Sequence, residues 1–195
     1  VRRLMRNRHY RRGVVAQFFY VGAQIGVWSF TIRIVMQELG VAESEAANVY
    51  LVAIIGFCAS RFFYTWLMKF FAPGRLLLFG SVMSLICAVT VVFTAGTGWV
   101  LVTFLVLISV FMSLMFPTIY GLALEGVGQE ASGGHPGDAK IGASGLIMAI
   151  LGGALLTPLQ GIVSDKVSIY ASFAVPAVCF AVVMMFAIYI NNEKR

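Results

Sequence analysis

Six long apolar stretches fill the chain from Gly13 to Ile190. Each contains about 20 residues, which is enough for a helix to cross a hydrocarbon layer roughly 30 Å thick. Because a bilayer interior offers no water to peptide groups, such segments are predicted to be helices rather than strands. The sequence therefore predicts an all-α membrane protein whose six transmembrane helices span 13–37, 46–69, 75–95, 98–123, 141–163 and 168–190.

Basic residues are concentrated in the segment 1–12, which precedes the first span. Lys69 and Arg75 flank the second loop, and the tail 191–195 adds two more basic residues. Cytoplasmic loops of membrane proteins carry an excess of lysine and arginine, so both ends of this segment are predicted to be cytoplasmic. A nucleic-acid-binding surface would need basic residues spread over a folded face, so no nucleic-acid partner is expected. Six of the fourteen lysines and arginines form the first cluster: Arg2, Arg3, Arg6, Arg8, Arg11 and Arg12.

Several chemical functions are disfavoured by the residues that the spans contain. The three cysteines lie in apolar stretches with no metal-ligand spacing, so neither a disulfide nor a metal site is expected. The motif Gly142-Ala-Ser-Gly145 is similar to the nucleophile motif of intramembrane serine proteases, but both histidines lie outside the spans and no general base is available. No carboxylate lies in the middle of a span, so any proton-coupling acid is expected elsewhere. We predict no enzymatic activity and no cofactor.

The first span carries a stripe of amide, aromatic and hydroxyl side chains. Their spacings of three, four, four and three residues place them on one face of a helix. Amides match the hydroxyl groups of a sugar and aromatic rings match its C–H faces, so the stripe is typical of a cavity lining. The alternative is that these side chains bond neighbouring helices. The stripe consists of Gln17, Tyr20, Gln24, Trp28 and Thr31.

Each of three polar residues, near the first loop and in the second span, has two alternative roles. Arg33 either faces a functional cavity or extends its side chain to the membrane surface. Asn48 is either a cavity amide or a helix-start cap. Arg61 is either a conformational lock or half of a structural ion pair.

The fourth and fifth spans differ in character. Proline in the fourth span removes a backbone donor and bends the helix, which frees a carbonyl group for a cavity. The glycine-rich fifth span is predicted to pack closely or to act as a hinge. The residues of interest in the fourth span are Ser109, Ser113, Phe116, Pro117 and Tyr120.

A set of short motifs, in order along nearly the whole chain, resembles the C-terminal half of L-fucose:proton symporters of the major facilitator superfamily. One departure is Phe116, where the family can carry a tyrosine. The motifs are Ala16-Gln-Phe-Phe-Tyr-Val-Gly-Ala-Gln24, Trp28-Ser29, Arg33, Ala47-Asn48, Arg61-Phe62, Thr65-Trp66-Leu67, Phe71-Ala72-Pro73, Phe111-Met-Ser113, Pro117-Thr-Ile119, Gly152-Gly153, Thr157-Pro158 and Gly161-x-x-Ser-Asp165.

The resemblance implies one six-helix half-bundle of a twelve-helix permease in a bacterial inner membrane, which transports L-fucose or a related sugar by alternating access. It implies an N-terminal half as partner and a coupling proton carried by carboxylates outside this chain. The implied sugar-binding residues are Tyr20, Gln24, Trp28, Asn48 and Phe116, and the implied cavity-lining or gating residues are Gln17, Thr31, Arg33, Arg61, Ser113, Pro117 and Tyr120. The alternative is a self-contained six-helix scaffold or assembly subunit in the membrane.

Overall fold

The computed structural model describes residues 7–125 and 138–193, and within them every regular element is helical. The described residues do not include Arg2, Arg3, Arg6, the last two residues or most of the predicted loop between the fourth and fifth spans. The helices are α1 (Arg8–Leu39), α2 (Glu43–Leu67), α3 (Pro73–Phe93), α4 (Trp99–Met112), α5 (Met115–Leu124), α6 (Asp138–Met148), α7 (Leu151–Lys166) and α8 (Ala174–Glu193), with a 3-10 turn at Ala171–Phe173.

Helices α4 and α5 continue each other across a short break, and so do α6 and α7. The described part of the chain therefore contains six helical segments long and apolar enough to cross a membrane. The prediction of six membrane-crossing helices is confirmed. Helix α1 begins five residues before the predicted start at Gly13, because hydropathy marks only the apolar part of a helix. Its start is capped by Asn7, whose side-chain oxygen accepts a hydrogen bond from the His9 N–H at 2.9 Å.

Helix α1 lies at the centre of the bundle. It contacts α2, α4, α5, α6, α7 and α8, whereas α3 packs on the far side against α4, α5 and α8. Helices α2 and α7 flank α1 and belong to the two least buried spans, with exposed apolar side chains that include Leu51, Phe62 and Leu155. We call the surface formed by α1 with α2 and α7 the open face, because the two flanking helices are the least covered by other helices of the bundle.

Close packing of α7 on α1 depends on glycine. A Cβ atom added at Gly152 would overlap the backbone carbonyl oxygen of Phe18, and one added at Gly153 would overlap the side chain of Ile25. On the other helix, a Cβ atom at Gly22 would overlap Leu156. The two helices therefore approach each other more closely than larger residues permit, as small residues commonly allow in membrane helix pairs.

We expect Gly152→Ala to lower the free energy of unfolding by about 1–3 kcal/mol, because the Phe18 backbone cannot move aside as a flexible side chain would. Gly121→Ala is the matched control, since an added Cβ there meets nothing within 4 Å and alanine favours a helix. Equilibrium unfolding in mixed detergent micelles measures both. Equal stability of the two variants would contradict this description of the α1–α7 contact.

Candidate functional site

The polar stripe of α1 divides between the interior of the bundle and the open face. Gln17 and Tyr20 are fully buried, with 0% exposure. Thr31 is also buried, and its hydroxyl donates a hydrogen bond to the Val27 carbonyl of its own helix at 2.7 Å. Gln24 and Trp28 are only partly buried. The stripe thus includes both buried side chains and partly exposed ones, and the cavity-lining role of its partly exposed members stays a prediction.

The break between α4 and α5 lies directly beside Tyr20. Pro117 occupies the first turn of α5, where its missing N–H costs no helical hydrogen bond. Pro117 has no N–H to donate to the Ser113 carbonyl, and residues 113 and 114 separate the two helices. The Tyr20 hydroxyl donates a hydrogen bond to the Met112 carbonyl at 2.9 Å. Tyr20 therefore joins α1 to the backbone at the break.

Two edge-to-face aromatic pairs lie along the same side of α1. The rings of Tyr20 and Phe116 have centroids 6.3 Å apart, and those of Trp28 and Phe57 have centroids 5.1 Å apart. The buried indole nitrogen of Trp28 has no hydrogen-bond partner among the residues that the structure describes, and neither has either amide atom of buried Gln17. A buried donor without a partner is costly. These groups are therefore the ones most in need of an additional partner.

A hydroxyl pair joins α2 to the same break. Ser60 Oγ lies 2.9 Å from Ser113 Oγ and 3.2 Å from the Val110 carbonyl oxygen. Ser113 is fully buried, so the structure places it between helices rather than at the open face. Ser109, on the preceding turn, is buried as well. Both serines of the predicted fourth span thus lie within the bundle.

Arg33 and Asn48 are exposed near the first loop. The guanidinium carbon of Arg33 lies 5.8 Å from the centroid of the Phe30 ring, within the range of a cation–π contact. Asn48 lies five residues after the start of α2 at Glu43, and the residue at the N-cap is Ala42. The prediction that Asn48 caps the helix is therefore wrong, and the cavity amide remains as the alternative.

Arg61 is exposed on α2, and no carboxylate lies within 4 Å of it in the described ranges 7–125 and 138–193. A structural ion pair with another described residue is thus excluded. Pro117 is partly buried, and Tyr120 packs beside a small buried cluster of Tyr10, Ala123 and Leu146.

The sequence did not predict the hydrogen-bonded site around the Glu38 carboxylate at the end of α1, which we call the Glu38 clamp. Its two oxygens accept hydrogen bonds from the N–H groups of Gly96 at 3.1 Å and Gly98 at 2.6 Å, and from the Tyr170 hydroxyl at 2.8 Å. Both glycines have positive φ, at 82° and 60°, which aims their N–H groups inward. Burial, together with the hydrogen bond to Glu38 and its charge, raises the pKa of Tyr170 to about 12, so its hydroxyl remains a donor at neutral pH. The clamp joins three connections at one end of the bundle.

We expect Glu38→Gln to lower the free energy of unfolding by about 1–3 kcal/mol, because the new amide NH₂ would face N–H and O–H donors in place of an acceptor. Glu43→Gln changes an exposed acid in the first turn of α2 and should shift stability by no more than about 0.5 kcal/mol. Both are measured by unfolding in detergent micelles. An unchanged Glu38→Gln variant would show that the clamp contributes no stability.

Comparison with solved structures defines the class of protein. The crystal structure of the E. coli fucose:proton symporter superposes with a TM-score of 0.89 at 37% identity, and covers 96% of this chain and 44% of that chain. The POT family transporter PepTSo, with a TM-score of 0.83 at 14% identity, shares the fold. The chain has the fold of one six-helix half-bundle of major facilitator superfamily transporters, as the sequence predicted, and is multi-pass in the membrane.

Curated relatives narrow the class further. The chain is 39% identical over 192 residues to the L-fucose-proton symporter of Haemophilus influenzae and 38% identical over 188 residues to that of Escherichia coli K12. It is 31% identical over 184 residues to a glucose/galactose transporter of Brucella abortus. These matches cover 95%, 95% and 93% of this chain but 42%, 40% and 42% of the relatives, so the chain spans less than half of their length. No family model matches.

The chain is homologous to the L-fucose:proton symporters and corresponds to their C-terminal half. The resemblance predicted from the sequence motifs is confirmed.

Proposed function

We propose that this chain forms the C-terminal half of a sugar:proton symporter that works by alternating access, with L-fucose as its substrate. The observation that carries the proposal is the 38–39% identity to two L-fucose-proton symporters over 95% of the chain. In this mechanism two six-helix bundles rock about a sugar site near the middle of the membrane. The N-terminal half is accordingly the partner of the open face.

The distribution of polar groups supports this role for the open face. Gln24 and Trp28 reach it in part, and Asn48 and Arg61 of α2 are exposed. Charged and amide groups are expensive in contact with acyl chains and usually face a bundle interior or an aqueous cavity. We therefore assign this side of α1 and α2 to the interface with the second half and to the sugar cavity.

Individual roles follow from what each side chain can offer. The Gln24 amide provides donors and an acceptor to sugar hydroxyls, as does Asn48. The Trp28 ring is held edge-on by Phe57, and its buried indole N–H, which has no partner among the described residues, can donate to a sugar oxygen only if the ring turns toward the open face. Tyr20 can bind sugar through its hydroxyl only if it releases the Met112 carbonyl. Phe116, beside Tyr20, provides an apolar wall.

We assign the coupling proton to the N-terminal half, because no carboxylate lies in the middle of any span of this chain.

We further propose that the membrane is a bacterial inner membrane and that both ends of this segment are cytoplasmic. Basic residues support that orientation: Arg8, Arg11, Arg12, Lys69 and Arg75 lie at the end of the bundle where α1 begins. We call this the basic end. A scaffold subunit, the second candidate, leaves the similarity to symporters without explanation.

We expect Gln24→Ala in the complete permease to weaken L-fucose binding about tenfold, which corresponds to the loss of one or two hydrogen bonds. Thr90→Ala on α3 is the control, because the Thr90 hydroxyl bonds only the Ile86 carbonyl of its own helix in the described structure. Isothermal titration measures both affinities. Unchanged affinity in Gln24→Ala would remove this residue from the sugar site.

Uptake by vesicles that contain the complete permease tests the function itself. Labelled L-fucose should accumulate when an inward proton gradient is imposed, and accumulation should stop when the gradient is collapsed. Galactose and arabinose, supplied in parallel, establish whether the preference is for L-fucose. Absence of gradient-driven uptake of all three sugars would overturn the proposal and favour the scaffold.

A further inference from the structure

A groove opens between α1 and α8 at the basic end of the bundle. Its volume is about 320 Å³. Helix α1 contributes two arginines at the mouth of the groove and a valine one turn deeper. Helix α8 contributes side chains from Tyr189 inward to Val182, which are separated by roughly 10 Å along the helix at 1.5 Å per residue. The lining residues are Arg11, Arg12, Val15, Val182, Met185, Phe186 and Tyr189.

The position of Arg12 suits it to bind a phosphate group. Its guanidinium carbon lies 3.9 Å from the centroid of the Tyr189 ring. Stacking of this kind occupies the flat face of the guanidinium group and leaves the N–H bonds in its plane free to donate. Arg11, the preceding residue, is exposed beside it. Two cationic side chains are thus presented at one end of the groove.

No acid in the described structure neutralises these arginines. The carboxylate in the last turn of α8, Glu193, instead lies 3.0 Å from Nδ1 of His9, and it accepts a hydrogen bond from the Tyr189 hydroxyl at 3.3 Å. The other ring nitrogen of His9 lies 2.7 Å from the Leu122 carbonyl oxygen, which holds the imidazole in place. Because neither arginine forms an ion pair with a described carboxylate, both guanidinium groups can bind an anion.

The rest of the groove is apolar and open. Val15 is 45% exposed and Met185 is 58% exposed, both within membrane-crossing helices. A free phosphate ion would leave these side chains uncovered, whereas an uncharged lipid would leave both arginines unpaired. An anionic phospholipid matches both the arginines and the apolar side chains of the groove. Basic pockets between membrane helices bind acidic headgroups, and apolar surface binds acyl chains.

We propose that this groove is a binding site for one anionic phospholipid. The phosphate group is bound by Arg11 and Arg12, and one acyl chain lies along Val15, Val182 and Met185. The bound lipid would bridge the start of α1 and the end of α8. Since this site lies between α1 and α8, away from the side chains assigned to sugar, it does not depend on the proposed transport function.

Native mass spectrometry of the full-length protein, released from micelles that contain dioleoylphosphatidylglycerol or dioleoylphosphatidylcholine, tests the proposal. We expect one phosphatidylglycerol molecule to be retained in preference to phosphatidylcholine. The double variant R11Q/R12Q should bind it about 25-fold more weakly, at about fivefold for each arginine. The control K69Q/R75Q removes two exposed cations of the same end outside the groove and should change binding by less than twofold.

Val182→Trp keeps both arginines and fills the apolar part of the groove, so it should also weaken phosphatidylglycerol binding. It decides the question if R11Q/R12Q does not fold, as judged by circular dichroism. Inorganic phosphate and glycerophosphoglycerol, which lack acyl chains, should not displace the lipid. Displacement by either anion, equal losses in K69Q/R75Q and R11Q/R12Q, or unchanged binding in Val182→Trp would each overturn the proposal.

Discussion

The hydrogen bond from Tyr20 to the Met112 carbonyl stabilises the centre of this bundle. A backbone group without a partner in a membrane interior costs several kcal/mol, and Pro117 has no N–H to donate to the Ser113 carbonyl where α1, α2 and α4 meet. Tyr20 bonds the Met112 carbonyl from α1, and Ser60 reaches the Ser113 hydroxyl and the Val110 carbonyl from α2. The irregular backbone is thereby held inside protein. A helix break beside the proposed sugar cavity is possible because three helices cooperate to bond it.

The central position of α1 links this break to the remaining helices. On one side Gly152 and Gly153 bring α7 against its backbone, and at its far end Glu38 binds the loop before α4 and the turn before α8. These contacts fasten α1 to the other helices of its own half. In the proposed alternating access we therefore expect motion between this half and its partner, and not between α1 and its neighbours.

Hydropathy and residue spacing predicted six spans and a shared polar face on α1, because both depend only on local periodicity. They could not assign partners. Spacing places Tyr20 and Gln24 on one face, but only three-dimensional packing turns Tyr20 to Met112 and leaves Gln24 partly exposed. Likewise, Glu38 lies 58 and 60 positions along the chain from the two glycines that it binds, and both glycines have positive φ. Neither this contact nor the backbone angle can be predicted from composition.

The proposed transport function requires the open face of α1 and α2 to meet water and sugar rather than lipid. Single cysteines at Gln24 and Trp28, in a complete permease whose Cys58, Cys87 and Cys179 are replaced, test this most directly. Both cysteines should react with a charged, membrane-impermeant maleimide from one side of the membrane, and L-fucose should slow the reaction. Cysteines that resist the reagent, while spin labels attached to them are relaxed by lipid-soluble oxygen, would place this face against acyl chains and contradict the account.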